Sequence, residues 1–107
     1  MAQARISVPK SAAKGEVIEI KTLIQHPMET GFRRDLDGNV IPVHIIERFV
    51  CTYNGEEVFR ADFHPSVAAN PYLTFRTVAT ESGRLTFTWH DDDGGVYRES
   101  ADIEVVA

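Results

Sequence analysis

The amino-acid sequence predicts an all-β protein, an immunoglobulin-like (fibronectin-III-like) antiparallel β-sandwich of about seven strands. The first observation is that apolar and polar residues alternate with a period of two, which places every second side chain on one face of a strand. The second is that no window shows the 3.6-residue period of an amphipathic helix. The third is the length of 107 residues, which suits a single domain over residues 1–107.

Each predicted strand has one apolar face that we expect to meet the core. In chain order the strands are the segments ARISVP, VIEIKTLI, VHIIERFVCTY, VFRADFH, YLTFRTVA, RLTFTWH and DIEVV. The residues expected to face the core are Ile18, Ile20, Ile24, Phe49, Cys51, Tyr53, Phe59, Ala61, Phe63, Leu73, Phe75, Thr77, Ala79, Leu85, Phe87, Trp89, Ile103 and Val105. Polar residues such as Glu19, Lys21 and Thr86 alternate with them and are expected to face outward.

Turn sequences separate several of these strands. Asn54-Gly55 joins the third strand to the fourth, Ser82-Gly83 precedes the sixth, and Asp93-Gly94-Gly95 follows the sixth. Asparagine, aspartate and glycine are favoured there because they adopt positive φ angles or tight reversals readily. In an immunoglobulin-like order the third and sixth strands are neighbours in one sheet.

Composition and charge exclude several classes of protein. With 11 Lys and Arg against 16 Asp and Glu, the net charge is −5, which argues against nucleic acid and against an anionic membrane as a partner. No apolar run approaches the roughly 18 residues that span a membrane. The N-terminal segment MAQARISVPKSAAKG lacks the apolar region of a signal peptide.

We expect no metal site and no cofactor. The four histidines form no HxH or HxxxH pair, and no cysteine cluster accompanies them. They are His26, His44, His64 and His90. The segment Asp91–Gly95 resembles the start of a calcium loop, but the glycine and glutamate of that motif do not follow at the required positions. Its carboxylates are expected to bind backbone NH groups of a hairpin turn.

No catalytic residue is expected either. Cys51 is the single cysteine and lies mid-strand on the core face, where burial keeps a thiol neutral. The sequence contains no GxSxG elbow, P-loop or GxGxxG motif. A binding module is therefore favoured over an enzyme.

Two features point to a binding surface. Ile46 and Val50 lie opposite the core face of the third predicted strand, and we expect them to form an exposed docking face. The alternative is that they are two isolated surface aliphatics. The second feature is the stretch His26–Pro42, whose seventeen residues separate two strands and far exceed the length of a hairpin loop. Connections of this length are usually functional or disordered.

Three segments, in this order and spacing, resemble the SoxZ family of the bacterial thiosulfate-oxidising (Sox) system: HPMETGFRRDLDGNVIPVHII, NPYLTF and FTWHDDDGGVY. The resemblance extends over nearly the whole chain and implies an immunoglobulin-like sandwich. It also implies a non-catalytic scaffold subunit that pairs with SoxY to form the SoxYZ carrier of covalently bound sulfur intermediates. In that complex SoxY carries the sulfur on a cysteine in a glycine-rich tail. This sequence ends in ADIEVVA, without such a tail, and matches the scaffold partner.

The resemblance further implies partners and a location. SoxY is the expected heterodimer partner, with transient contacts to enzymes of the SoxXA, SoxB and SoxCD type, and homo-oligomers of the isolated chain are an open possibility. Members of the family work in the periplasm without their own signal peptide, so we expect co-export with SoxY. The alternative function is a small metal-binding or redox domain of a sulfur pathway that uses the histidines.

The segment METGFRR is the longest family-like motif outside the strands. Methionine adapts its shape to a partner and arginine supplies forked donors, so both are favoured at interfaces. The alternative, compatible with the first, is that the segment folds back over the sandwich and fills the core with Met28 and Phe32. The residues expected to contact a partner are Met28, Glu29, Phe32, Arg33, Arg34, Ile46 and Val50.

Overall fold

The computed structural model describes residues 3–26, 28–29, 31–32, 34–63 and 70–107. Within these ranges it contains eight strands: β1 (Gln3–Ser7), β2 (Ser11–Ala13), β3 (Val17–Gln25), β4 (Ile46–Tyr53), β5 (Glu56–Asp62), β6 (Tyr72–Val78), β7 (Gly83–Asp91) and β8 (Val96–Val106). They form a three-stranded sheet of order β1-β3-β6 and a five-stranded sheet of order β2-β8-β7-β4-β5. The predicted all-β sandwich is confirmed. Over the same ranges, no helix has the length and apolar character needed to cross a membrane.

The strand pairing follows the prediction with two additions. β4 and β7, the third and sixth predicted strands, are antiparallel neighbours as expected. β2 was not predicted, because its three residues are too few to show alternation, and it pairs in parallel with β8. β8 is also longer than expected, since it begins at Val96 and continues into the predicted segment DIEVV.

Among the described residues the buried side chains form one core cluster, in which the ring of Phe49 of β4 contacts four other aromatic rings. The ring of Phe49 lies 5.2 Å from that of Trp89 and 6.0 Å from that of Phe75, measured between ring centroids. Phe75 belongs to the other sheet and stacks on Phe59 at 4.3 Å. These aromatic contacts join the two sheets, and such pairs add stability beyond the area they bury.

Ile46 is fully buried, so the prediction that it lies on an exposed docking face is wrong. The reason is a shift in the register of β4 against β7, where Ile46 pairs with Asp91 and Arg48 pairs with His90. At this bulge β4 has one more residue than β7. An extra residue of this kind changes the face of the sheet to which the side chains on one side of the bulge point. As a result Glu47 and Arg48 are both exposed while Ile46 points into the core.

Candidate functional site

The 26–45 connection between β3 and β4 forms a paired arm in its described part, and we call it the arm. Near its base Glu29 and His44 exchange both backbone hydrogen bonds, at 2.8 and 2.9 Å. At its tip the carboxylate of Asp35 accepts a hydrogen bond from the backbone N–H of Asn39 at 3.0 Å. The described residues of this long connection therefore form an ordered structure of their own.

The two limbs of the arm lie very close together. Gly31 has a positive φ of 89°, and a Cβ at this position would lie 2.7 Å from Cγ2 of Val43. Both conditions require glycine. Toward the tip, Nη1 of Arg34 donates to the carbonyl of Gly38 at 2.8 Å, so this guanidinium already has a partner within the arm.

Met28 and Phe32, which lie close together in the sequence, have different environments in the arm. Met28 is buried, and its sulfur accepts a hydrogen bond from the backbone N–H of Ile46 at 3.2 Å. Met28 therefore fills the core, and its prediction as a partner-contacting residue is wrong. Phe32 is 88% exposed, so the alternative that it also fills the core is wrong for this residue.

The other predicted contact residues keep an accessible position where they are described. Arg34 is exposed, Glu29 is half-buried, and Val50 is half-buried on the outer face of β4 beside Thr88 of β7. Arg33 lies outside the described residues. Whether these side chains meet a partner stays a prediction.

The arm also exposes apolar side chains beyond those expected. Leu36 is fully exposed at its tip, and Val40 and Val43 are each nearly half exposed. Together with Phe32 they make four exposed apolar side chains in one segment of the chain. A concentration of exposed apolar residues in one segment is a candidate interaction surface.

A second group of residues meets where the arm joins the sandwich. His26 begins the arm, His44 lies near its end, and Asp91 ends β7. One candidate ligand atom from each of the three lies within 4.8 Å of the others. The two rings contact edge to face, with 4.5 Å between their centroids.

Asp91 is held firmly in this group. Its Oδ1 accepts the backbone N–H of Gly95 at 2.6 Å and that of Asp93 at 3.0 Å, and its Oδ2 accepts the hydroxyl of Tyr97 at 2.9 Å. The predicted role of these carboxylates in a hairpin turn is confirmed for Asp91, whereas the carboxylate of Asp92 accepts the backbone N–H of the distant Ile45 at 3.1 Å. Burial by itself raises the pKa of Asp91, but the hydrogen bonds from Gly95, Tyr97, His44 and Asp93 outweigh it, so the pKa lies below its ordinary value.

His44 is placed between two carboxylates. Its Nε2 lies 3.4 Å from Oδ2 of Asp91 and 3.4 Å from Oδ2 of Asp93. The side chain of Asp93 is mostly exposed, whereas that of Asp91 is buried. His44 thus contacts one buried and one exposed carboxylate.

His26 is buried, and one of its nitrogens has no partner among the described residues. Its Nδ1 accepts the backbone N–H of Met28 at 3.0 Å, which assigns the proton of the neutral ring to Nε2. Nε2 has no hydrogen-bond partner in the part of the chain that the structure describes, and a buried donor of this kind costs about 1–3 kcal/mol. Burial and the neighbouring His44 both lower the pKa of His26, against the opposing effect of the three nearby aspartates.

Sequence reasoning missed this group because its members are far apart along the chain. His44 and Asp91 are separated by 47 positions, and no ligand motif spans such a gap. The one available signal was that a histidine lies near each end of the long connection, next to the strands it joins. Of the other two histidines, His90 belongs to β7 outside the group, and His64 lies outside the described residues.

Cys51 is fully buried in β4, as predicted. Burial raises the pKa of its thiol to about 12, because desolvation disfavours the thiolate. A neutral, inaccessible thiol is neither a nucleophile nor an attachment point for a substrate.

A comparison with protein families shows what the chain is similar to. The model of the family described as "Sulphur oxidation protein SoxZ" matches residues 5–102, nearly the whole chain. Among curated proteins none matches.

Solved structures share the fold at low sequence identity. A superoxide reductase (neelaredoxin) from Ignicoccus hospitalis is 18% identical, with a TM-score of 0.72 over 96% of this chain and 80% of that chain. The sulfur carrier protein SoxY from Chlorobium limicola f thiosulfatophilum is 15% identical, with a TM-score of 0.68 over 97% and 79%. The CARDB domain of PF1109 from Pyrococcus furiosus is 14% identical, with a TM-score of 0.59 over 98% and 94%. These likenesses support the sandwich fold and no more.

Proposed function

The chain belongs to the SoxZ family of sulphur oxidation proteins, and on that premise we propose that it is the non-catalytic scaffold subunit of a SoxYZ complex. In this complex it pairs with SoxY, and SoxY holds the sulfur intermediates of thiosulfate and sulfur oxidation covalently. The protein acts by binding and presenting its partner rather than by reacting with the substrate.

The observation that supports a scaffold role for this chain, with the sulfur held by SoxY, is the burial of Cys51. It is the only cysteine in the chain and has no exposed surface. A covalent sulfur intermediate needs an accessible thiolate, and a thiol with a pKa of about 12 in the core does not supply one. The attachment site must then belong to the partner.

We further propose that the arm is a principal partner-contacting surface. Its four exposed apolar side chains, Phe32, Leu36, Val40 and Val43, provide the apolar centre that a stable interface needs. The nearby Arg34 and Glu29 supply polar groups for its rim. The outer face of β4 around Val50 is a second candidate surface, now without Ile46.

The location and the transient partners follow from the family resemblance alone. We propose that the protein works in the periplasm after co-export with SoxY. There the complex contacts enzymes of the SoxXA, SoxB and SoxCD type in turn.

Co-expression with a tagged SoxY tests the proposal. The two chains should co-purify and elute in size-exclusion chromatography as a one-to-one complex, with the mass determined by light scattering. After incubation with a sulfur substrate and the other Sox enzymes, mass spectrometry should find the added sulfur on SoxY and none on Cys51. Separate elution of the two folded proteins, or sulfur on Cys51, would contradict the scaffold role.

A further inference from the structure

The group formed by His26, His44 and three aspartates has no role in the proposed scaffold function. It lies where the arm joins the sandwich. The three aspartates are consecutive, Asp91, Asp92 and Asp93, and one atom each from His44, Asp92 and Asp93 also fall within 4.8 Å of one another. Concentrated negative charge attracts cations.

The hydrogen bond between His44 and Asp91 is long, and the distances around His44 also suit two ligands of one metal ion. Its Nε2 lies 3.4 Å from a carboxylate oxygen of Asp91 and 3.4 Å from one of Asp93. Charge-assisted N–H···O bonds are shorter, about 2.7–2.9 Å. Two ligand atoms on one tetrahedral zinc ion, each about 2.0–2.2 Å from the metal, are separated by about 3.3–3.6 Å.

The buried His26 is an independent observation that points to a ligand. Only 2% of the residue is exposed, and its Nε2 is a donor with no partner in the described structure. A ring nitrogen of His26 lies within 4.8 Å of the ligand atoms of His44 and Asp91. An oxygen ligand on a metal held by those residues would supply the missing acceptor.

We propose that the base of the arm binds one divalent transition-metal ion of the zinc type. Nε2 of His44 and Oδ2 of Asp91, which lie 3.4 Å apart, are its protein ligands, and the exposed carboxylate of Asp93 adds negative charge beside His44. A water or ligand oxygen completes the coordination and accepts the Nε2–H of His26. A mixed set of imidazole and carboxylate selects such an ion over calcium or magnesium, which prefer oxygen alone.

The site is arranged as metal sites usually are, with its ligands held by further hydrogen bonds. Asp91 is fixed by Gly95, Asp93 and Tyr97, while His44 is held by its backbone pairing with Glu29. A bound ion would join the end of the arm to the β7–β8 turn. The ion is therefore structural and braces the arm, and the inference does not depend on the proposed scaffold function.

Calorimetric titration of Zn²⁺ into the full-length, untagged chain after removal of metals with EDTA tests the proposal. One ion should bind per chain, while Ca²⁺ should give no saturable binding. His44→Gln and Asp91→Asn should each weaken Zn²⁺ binding by tenfold or more. His90→Gln, a histidine outside the group, is the matched control and should bind as the wild type does.

Imidazole ¹⁵N spectra of the wild-type protein give a readout that does not rely on variants folding. Addition of one equivalent of Zn²⁺ should shift the Nε2 resonance of His44 and leave that of His90 in place. Absence of saturable binding, an unshifted His44 resonance, or equal affinity in the wild type and His44→Gln would overturn the proposal. The approach of His44 to Asp91 and Asp93 would then be an ordinary polar contact.

Discussion

The Nε2 atom of His44 lies 3.4 Å from Oδ2 of Asp91, and this contact joins the end of the arm to the β7–β8 turn. The arm is thus attached to the sandwich through a contact with the buried carboxylate of Asp91. Asp91 is the centre of that attachment, because it also accepts two backbone N–H groups and a tyrosine hydroxyl.

Asp91→Asn should lower the free energy of unfolding. The amide keeps one acceptor oxygen but loses the charge, and hydrogen bonds to charged groups are worth about 1.5–3 kcal/mol. Urea unfolding in the presence of EDTA measures this effect apart from any bound metal. The matched control is Asp37→Asn at the exposed tip of the arm, where no measurable loss is expected. Equal stability of both variants would show that Asp91 does not anchor the turn.

Ile46→Ala should destabilise the protein, whereas Val50→Ala, on the other face of β4, should have little effect. Ile46 is fully buried, and removing such a side chain from a core costs about 2–5 kcal/mol. Val50 is half-buried on the outer face, where substitutions cost about 0.5 kcal/mol. Thermal or denaturant unfolding of the two variants compares them directly. If both lose the same stability, the bulge that turns Ile46 inward is not present.

Phe32→Asp and Leu36→Asp should weaken binding to SoxY by about tenfold or more without affecting the fold. The arm exposes both side chains, and a charge at the centre of an apolar contact is poorly tolerated. Surface plasmon resonance with immobilised SoxY gives the affinities. Val17→Asp is the control, because Val17 is 60% exposed on the three-stranded sheet. Wild-type affinity in both arm variants would exclude the arm as the contact surface.

Val50→Asp tests the second candidate surface. The outer face of β4 around Val50 and its cross-strand neighbour Thr88 would form the apolar centre of that interface. The variant should fold normally, as judged by circular dichroism, and should co-purify poorly with SoxY. Undiminished co-purification would place the interface elsewhere.

Cys51 should resist thiol reagents in the folded protein. Burial raises its pKa to about 12, so at pH 8 the native thiol is neutral, while an unfolded cysteine with a pKa of about 8.5 is partly ionised. This raised pKa stabilises the fold below about pH 8.5, and the contribution is lost as the pH rises toward 12. Labelling with Ellman's reagent should be slow in buffer and rapid in 6 M guanidinium, and rapid native labelling would contradict the burial.

Local alternation along the strands was enough to predict most of the core. Ile20 of β3, Phe75 of β6 and Trp89 of β7 are buried where the period of two places them, because neighbouring side chains of an extended backbone must point to opposite faces. The Asn54-Gly55 turn also adopts the positive φ angles, 51° and 85°, that its composition indicates. These features depend only on residues close together in the chain.

Tertiary structure decided the features that depend on distant partners. Ile46 is buried because β4 shifts its register against β7, and Met28 reaches the core while Phe32 does not. The meeting of His26, His44 and Asp91 requires three separate segments to end at the same side of the sandwich. The sequence by itself determined the all-β fold, the family and most core-facing residues, since backbone geometry and local propensity act between neighbours. Which side chains share a site was decided by strand register and the path of the arm, because these depend on packing across the whole molecule.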